Sequence, residues 1–290
     1  MYNYSFIIPH KNSPSLLQRC VDSIPERNDI QVIVVDDNSD EEKRPILKER
    51  KNLQVVQLDA RQSKGAGRAR NVGLKKAEGR WLLFPDCDDY YNANFLDVLG
   101  TYLESDIDVV YFNFEHRDGK TGKELPPLKS QRHFDEYNDS LRARESVKYL
   151  HKAPWAKMVR KDYIKEHNIY FEEVPNGNDI LFSMMVGYHT DSFKVEKQKL
   201  YVYLLNTNSI LTSKETVDGA ICRIIHAIKL NYLYSFMGHP EWKQPVFLRI
   251  MKSLAVLRLP LLISLSKKAR KIFKERKEWV KLLEQSKCNH

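Results

Sequence analysis

Residues 31–37 read Gln-Val-Ile-Val-Val-Asp-Asp, "QVIVVDD", and this stretch decides the fold. Four successive β-branched apolar residues leave no polar face. A strand of that kind must be covered on both sides, as parallel strands are in α/β proteins. The two acids that end it then fall at the carboxyl edge of the sheet, where ligands of open α/β folds sit. Working outward, similar short runs recur at "SFIIP", "LQVVQL", "RWLLF" and "DVVYFNF". Between them the apolar residues take helical spacing: Leu16, Leu17, Cys20, Val21 and Ile24; the region of Ile46 and Leu47; Ala69, Val72, Leu74 and Ala77; and Phe95, Leu96, Val98, Leu99 and Leu103. Strand and helix in alternation predict a doubly wound, mostly parallel α/β sheet.

Beyond residue 115 the pattern changes. "EHRDGKTGKELPPLKSQRHFDEYND" is polar and turn-rich and reads as a loop or hairpin excursion. Helical spacing returns at "SLRARESVKYLHKAP", and "NDILFSMMVGYHTDSFKVEKQKLYVYLL" reads as a helix running into a strand. From Thr216 the chain is helical, with Ile221, Ile224, Ile225 and Ile228 on one face. It ends in a basic amphipathic segment with eight Lys or Arg against two Glu between Lys267 and Lys281.

The 290 residues are 42% hydrophobic and carry a formal charge of +9. That charge points to an anionic partner: a phosphate-bearing ligand, anionic lipid or nucleic acid. Cys20, Cys87, Cys222 and Cys288 form no metal-type spacing, and the N-terminus lacks the features of a signal peptide. The longest apolar stretch, "LAVLRLPLLISL", is broken by Arg258 and Pro260 and is too short to span a membrane. A reduced, cytoplasmic protein is expected.

Three features carry chemistry. Asp36 and Asp37 can accept hydrogen bonds from a base or ribose, whereas Asn38 and Ser39 read as a turn, with Ser39 and Glu42 forming a capping box. The loop "SKGAGRARNVGL" lets the backbone approach a ligand while Arg68 and Arg70 meet phosphates at a helix start. It is neither a Walker loop nor a dinucleotide fingerprint, since Arg70 stands where the latter needs glycine. Finally "LFPDCDDYY" places Asp86, Asp88 and Asp89 in four positions. Like charges so close ask for a shared cation, and hard oxygen ligands in low number suit Mg²⁺ or Mn²⁺ held jointly with a diphosphate. Capping of the helix at "NANFLDVL" is the plainer alternative. His133, His151 and His189 are lone and read as packing or surface residues. Trp155 and Tyr170 are either core residues or stacking surfaces for a sugar ring.

Taken in order, "YSFIIPHKN", "VIVVDDNSD", "GAGRARNVGLKKAEGRWLLFPDCDD" and "NDILF" resemble glycosyltransferase family 2, the inverting enzymes of GT-A fold, over roughly residues 3–215. The resemblance implies a nucleotide-sugar-binding half (1–115), an acceptor-binding half of the same GT-A domain (116–215) and a helical C-terminal extension (216–290). It places Pro9, His10, Asp36, Asp37, Gly67, Arg68 and Asp86 around the nucleotide. It makes Asp86 and Asp88 the D-x-D pair, ribose-side and metal-side, with Asp89 a third acid. Asp179 matches the family's acceptor base, but Asn178 stands where the family's usual Glu does.

The implied reaction is metal-dependent transfer of a hexosyl or N-acetylhexosaminyl group from a UDP-sugar, with Mn²⁺ or Mg²⁺, to a saccharide or lipid-linked acceptor in surface polysaccharide assembly. The basic C-terminal helix is either a solvated face or a peripheral contact with the anionic inner face of the membrane. A nucleic-acid-binding protein and a nucleotidyltransferase are the alternatives. No nucleic-acid motif supports the first, and no glycine-rich loop near the first strand supports the second.

Overall fold

In the computed structural model, which describes residues 2–174, 177–206 and 217–253, the opening stretch forms β2 (Ile30–Asp36), with every residue buried. It lies parallel to β1 (Tyr4–His10), Tyr4 beside Ile30 and His10 beside Asp36. On its other side it pairs in parallel with β3 (Leu53–Gln57), the sheet's outer strand. β1 also pairs with β4 (Trp81–Leu83), but only from Tyr4 to Phe6. The last four residues of β1 therefore outrun β4, and the chain leaves the sheet early at Phe84. That step opens the carboxyl edge between β1 and β4.

The rest of the sheet is β5 (Tyr90–Tyr91), β6 (Val109–Asp118), β7 (Lys157–Arg160) and β8 (Phe193–Leu205), in the order β3-β2-β1-β4-β7-β6-β8-β5. β7 runs antiparallel to both β4 and β6, while β6 and β8 are parallel. The sheet is mixed, with parallel pairing through β3-β2-β1-β4, and matches the α/β class expected. Helices α1 (Pro14–Asp22), α2 (Ala66–Lys76), α3 (Phe95–Gly100), α4 (Arg132–Asp135), α5 (Leu141–Leu150), α6 (Lys161–Glu166) and α7 (Ile180–His189) complete this unit. Its core is one continuous cluster that includes Phe6, Ile33, Trp81, Phe84, Phe112 and Phe182.

The chain divides into compact units at 1–209 and 210–290, so the expected half 1–115 and residues 116–209 of the expected half 116–215 fall in the first, and the 115/116 boundary lies inside β6. In the second unit α8 (Val217–Phe236) buries Ala220, Ile221, Ile224 and Leu230, and residues 246–253 are helical. The basic segment 267–281 and its proposed membrane contact lie outside the described residues. No described helix is long and apolar enough to cross a membrane.

Three local expectations are corrected. No helix forms around Ile46 and Leu47, and Ile46 is 82% exposed. Pro45 holds Arg44 extended at ψ 156°, and two adjacent apolar residues cannot make one helical stripe. The Ser39–Glu42 capping box is absent. Residues Glu41–Lys43 make only a 3-10 turn without a side-chain cap, because Ser39 turns inward to a carboxylate. The acids at 86–89 do not cap a helix either: β5 intervenes, and α3 starts after Asn94.

α2 lies against β1 and β2, and Gly73 makes this fit. A Cβ there would stand 2.4 Å from Ile7 Cγ2. Gly73→Ala should overpack this contact and cost about 1–3 kcal/mol, seen as a lower urea midpoint. A midpoint equal to wild type would show that Ile7 moves aside without cost.

Candidate active site

At the end of β1 and β2 the side chains of His10 and Asp36 meet, with Nδ1 2.7 Å from Oδ1. His10 Nε2 accepts the Ser13 N–H at 3.1 Å. The ring hydrogen therefore sits on Nδ1, directed at Asp36. Asp36 also accepts the Ser39 hydroxyl at 2.5 Å and the Ser39 N–H at 3.1 Å. It is wholly buried. Asp36 is thus a brace for the corner formed by Pro9, His10 and Ser39. The physical reason is that a carboxylate in this depth takes every near donor. Asp37 differs. Its carboxylate accepts the Lys64 and Gly65 N–H groups at 3.2 and 3.0 Å, with Lys11 Nζ at 3.6 Å. It clasps the loop that leads into α2.

Two expectations on that loop are also redirected. Gly67 is tight against protein rather than open to a ligand: a Cβ would lie 2.0 Å from the Glu172 carbonyl oxygen and 2.8 Å from Asn178 Cβ. Arg68 pairs with Glu173 at 3.1 Å, and Lys64 pairs with the same carboxylate at 3.2 Å. The start of α2 is therefore fastened to the segment that precedes Asp179.

Arg70, one turn deeper, has the larger part. Its Nη2 donates to Asp86 Oδ1 at 2.5 Å and its Nη1 to Asn178 Oδ1 at 2.8 Å. The guanidinium carbon lies 5.2 Å from the centre of the Phe171 ring, and the side chain is only 5% exposed. One cation thus joins the acidic loop to the residue before Asp179.

Asp179 stands at the N-terminus of α7 and makes no side-chain cap bond. Burial pushes its carboxyl above the usual range and Asp86 adds to this, while Arg70, then a hydrogen bond from its own backbone N–H, and last Lys157 draw it down. Lys157 is enclosed, with Nζ near three acceptors: the His151 and Ala153 carbonyls and the Ser183 hydroxyl oxygen. Ser183 spends its own hydrogen on the Lys152 carbonyl at 2.5 Å. The geometry asks for three hydrogens on Nζ, against burial, which lowers its pKa to about 7.

The three acids of the opening loop have separate fates. Asp89 is 1% exposed; it accepts the Tyr201 hydroxyl at 2.9 Å and the Leu204 N–H at 2.8 Å. Tyr201 in turn accepts the Asp86 N–H at 3.0 Å. Asp89 therefore anchors the loop to β8. Asp88 accepts Asn206 Nδ2 on Oδ2 at 3.0 Å, and its carbonyl accepts Arg19 at 2.8 Å. Burial, then the neighbouring Asp86, push the Asp88 carboxyl upward, and burial, then Asp88 and Asp86, push that of Asp89 upward too. Among the described residues no three His, Cys, Asp or Glu side chains gather as a metal site. The donor set fits a Mg²⁺-like ion carried mainly by ligand phosphates with one or two protein carboxylates. Asp88, with Asp86 next to it, meets that need.

Trp155 is buried and stacks on Tyr201 and Tyr203 at 4.9 and 5.5 Å, so the core reading holds and it offers no free face of the kind a sugar would use. Tyr170 is 42% exposed. His151 packs between Phe134 and Trp155, His189 stacks on His167, and His133 is half-buried. What the sequence left unassigned is Lys157, Tyr201 and Asn206. None sits in a motif, and each lies far along the chain, Lys157 in β7, Tyr201 in β8 and Asn206 just after β8.

Comparison with known proteins agrees with this geometry. The model for glycosyl transferase family 2 matches residues 5–167. The chain is 30% identical over 212 residues to the poly(ribitol-phosphate) beta-N-acetylglucosaminyltransferase TarS of Staphylococcus aureus strain MW2, covering 70% of this chain and 35% of that protein. To the poly(ribitol-phosphate) beta-glucosyltransferase of Bacillus spizizenii it is 29% identical over 243 residues, 79% of this chain and 37% of that one. It spans about a third of the length of these relatives. The crystal structure of S. aureus TarS 1–349 in complex with UDP-GlcNAc has a TM-score of 0.57 at 25% identity, over 80% of this chain and 67% of that chain. With the match covering more than half of its residues and the strand-end acids in place, the chain belongs to glycosyl transferase family 2.

Proposed function

We propose that this protein is an inverting glycosyltransferase that moves a sugar from a UDP-sugar to an acceptor hydroxyl in surface polysaccharide assembly. The observation that carries the reading is the placement of Asp179. Its carboxyl is raised by burial and makes no side-chain cap bond, and the preceding residue, Asn178, is joined through Arg70 to the acid loop at the edge opened by the short β4. The resemblance to a UDP-GlcNAc-bound relative supports the donor class.

In this reading Asp179 takes the proton of the acceptor hydroxyl as that oxygen bonds to the anomeric carbon. The bond from that carbon to the diphosphate oxygen breaks, and the diphosphate leaves with the electron pair. The raised pKa makes Asp179 a better base than an ordinary carboxylate near 3.9. Alignment of the two substrates supplies much of the remaining rate. Asp88, beside Asp86, would hold a divalent ion, which neutralises charge on a diphosphate. Asp36 and His10 hold the corner from which Asp37 and the α2 loop are presented.

Thermal shift against nucleotides and nucleotide sugars, with and without Mn²⁺, tests the donor site. UDP compounds should raise the melting temperature in a metal-dependent way, and Asp88→Ala should abolish the response. Indifference to every nucleotide would sink the transferase reading, and a response to another base would replace UDP. Asp179→Asn should keep the UDP response and lose turnover by 10²-fold or more, about the range of general base catalysis. In the wild type, activity should fall on the acid side at a pH above the ordinary carboxylate range, because the base works only when deprotonated. Near-normal turnover in Asp179→Asn would remove it from the role.

A further inference from the structure

We propose that Arg70 is the positioning residue of the reaction, tying the donor-side acid Asp86 to the loop of Asp179 through the neutral amide of Asn178. This rests on Asp179 being the base.

The argument begins with where the guanidinium is held. Arg70 rises from α2 into a site that leaves it 5% exposed, its plane near the Phe171 ring. Its two terminal nitrogens reach in different directions, to Asp86 and to Asn178. Asn178 is fixed from two further sides. Its carbonyl accepts the Glu172 N–H at 3.1 Å, and its Cβ stands against Gly67, where any side chain would clash. The residue that follows is Asp179. A rigid fork therefore sets the distance between the acid loop and the start of α7, two elements from distant parts of the chain.

The identity of residue 178 then decides how the charge is used. A glutamate there would form a second ion pair with Arg70 and take part of its field. The asparagine amide accepts the same hydrogen bond and carries no charge. The cation is left to Asp86 and Asp179. Among the described residues the charged groups that act most on Asp179 are Arg70 from α2, Asp86 from the loop after β4, and Lys157 from β7. Among these Arg70 opposes burial most strongly. Lys157 is already committed to three acceptors. An Asn at 178 is thus a compensated departure from the common pattern: the hydrogen bond is kept and the charge is shared elsewhere.

The test is a carboxyl titration that needs no donor. The full chain, labelled with ¹³C at the aspartate side-chain carboxyl, is followed by NMR against pH; the Asp179 resonance is the one lost in Asp179→Asn. Asn178→Glu and Arg70→Gln should each raise the Asp179 midpoint by about one pH unit, the effect of removing an adjacent opposite charge. Asn178→Gln, which keeps a neutral amide, should leave the midpoint in place. If Arg70→Gln does not fold, the pair Asn178→Glu and Asn178→Gln carries the comparison alone. Equal midpoints in wild type and Asn178→Glu would overturn the proposal, since a purely structural contact would give that result.

A second arm reads UDP release from UDP-N-acetylglucosamine across pH. The acid limb of kcat in Asn178→Glu should move upward with the carboxyl midpoint, and Arg70→Lys should keep the limb while kcat falls more than KM changes. A midpoint that moves while the limb stays fixed would separate the two claims: the electrostatic link would stand, but Asp179 would not be the base and Arg70 would position nothing in the reaction.

Discussion

The structure depends on a difference in length between neighbouring parallel strands. β1 continues to His10, whereas β4 ends opposite Phe6. A longer β4 would pair with the rest of β1 and carry Asp86 and its neighbours past the edge as a ladder. Because it stops, the chain turns out of the sheet at the buried Phe84 and Pro85, and the polar groups that lie buried in that turn must find partners inside the protein. Much of what surrounds the turn answers that demand. Tyr201 supports both Asp86 and Asp89, Leu204 offers its N–H, Arg19 reaches the Asp88 carbonyl, and Arg70 meets Asp86.

The same demand explains why neighbouring acids differ so much. Asp36 and Asp89 are enclosed and their oxygens are met by nearby donors, so they hold the backbone. Asp37 takes amides of a loop. Asp88 and Asp179 have fewer side-chain donors in place. Burial raises Asp88, Asp89 and Asp179 alike, so what differs among these acids is how many donors each one meets.

The sheet was legible because its strands are written as unbroken apolar runs, and "QVIVVDD" carries both the strand and its end. The helix expected at Ile46 failed because proline and two adjacent apolar residues give no stripe. Spacing and family pattern bring Asp36, Asp37, Asp86, Asp88, Asp89 and Asp179 into view together, but a sequence does not show which of two adjacent acids turns inward, as Asp36 and Asp89 do. The partners that make the distinction, Ser39, Tyr201 and Leu204, are ordinary residues whose role exists only after folding. Lys157 was hidden for the same reason: nothing in "APWAKMV" marks a lysine enclosed by carbonyls. Arg70 stood in view in "GAGRAR", but its two partners lie 16 and 108 residues away.

The clasp of Asp37 on the Lys64 and Gly65 amides sets a condition on recognition. A ligand that bonds this carboxylate from the open side must either share it with those amides or exchange with them. Where exchange occurs, the net gain is the difference between two sets of similar hydrogen bonds, which is small. Selectivity is less affected, because a ligand group that cannot replace the amides leaves a buried carboxylate short of donors. Discrimination at Asp37 can therefore be sharp while its contribution to affinity stays modest. The loop that the amides belong to would be released each time the exchange is made, so occupancy of this one acid would be felt at the start of α2.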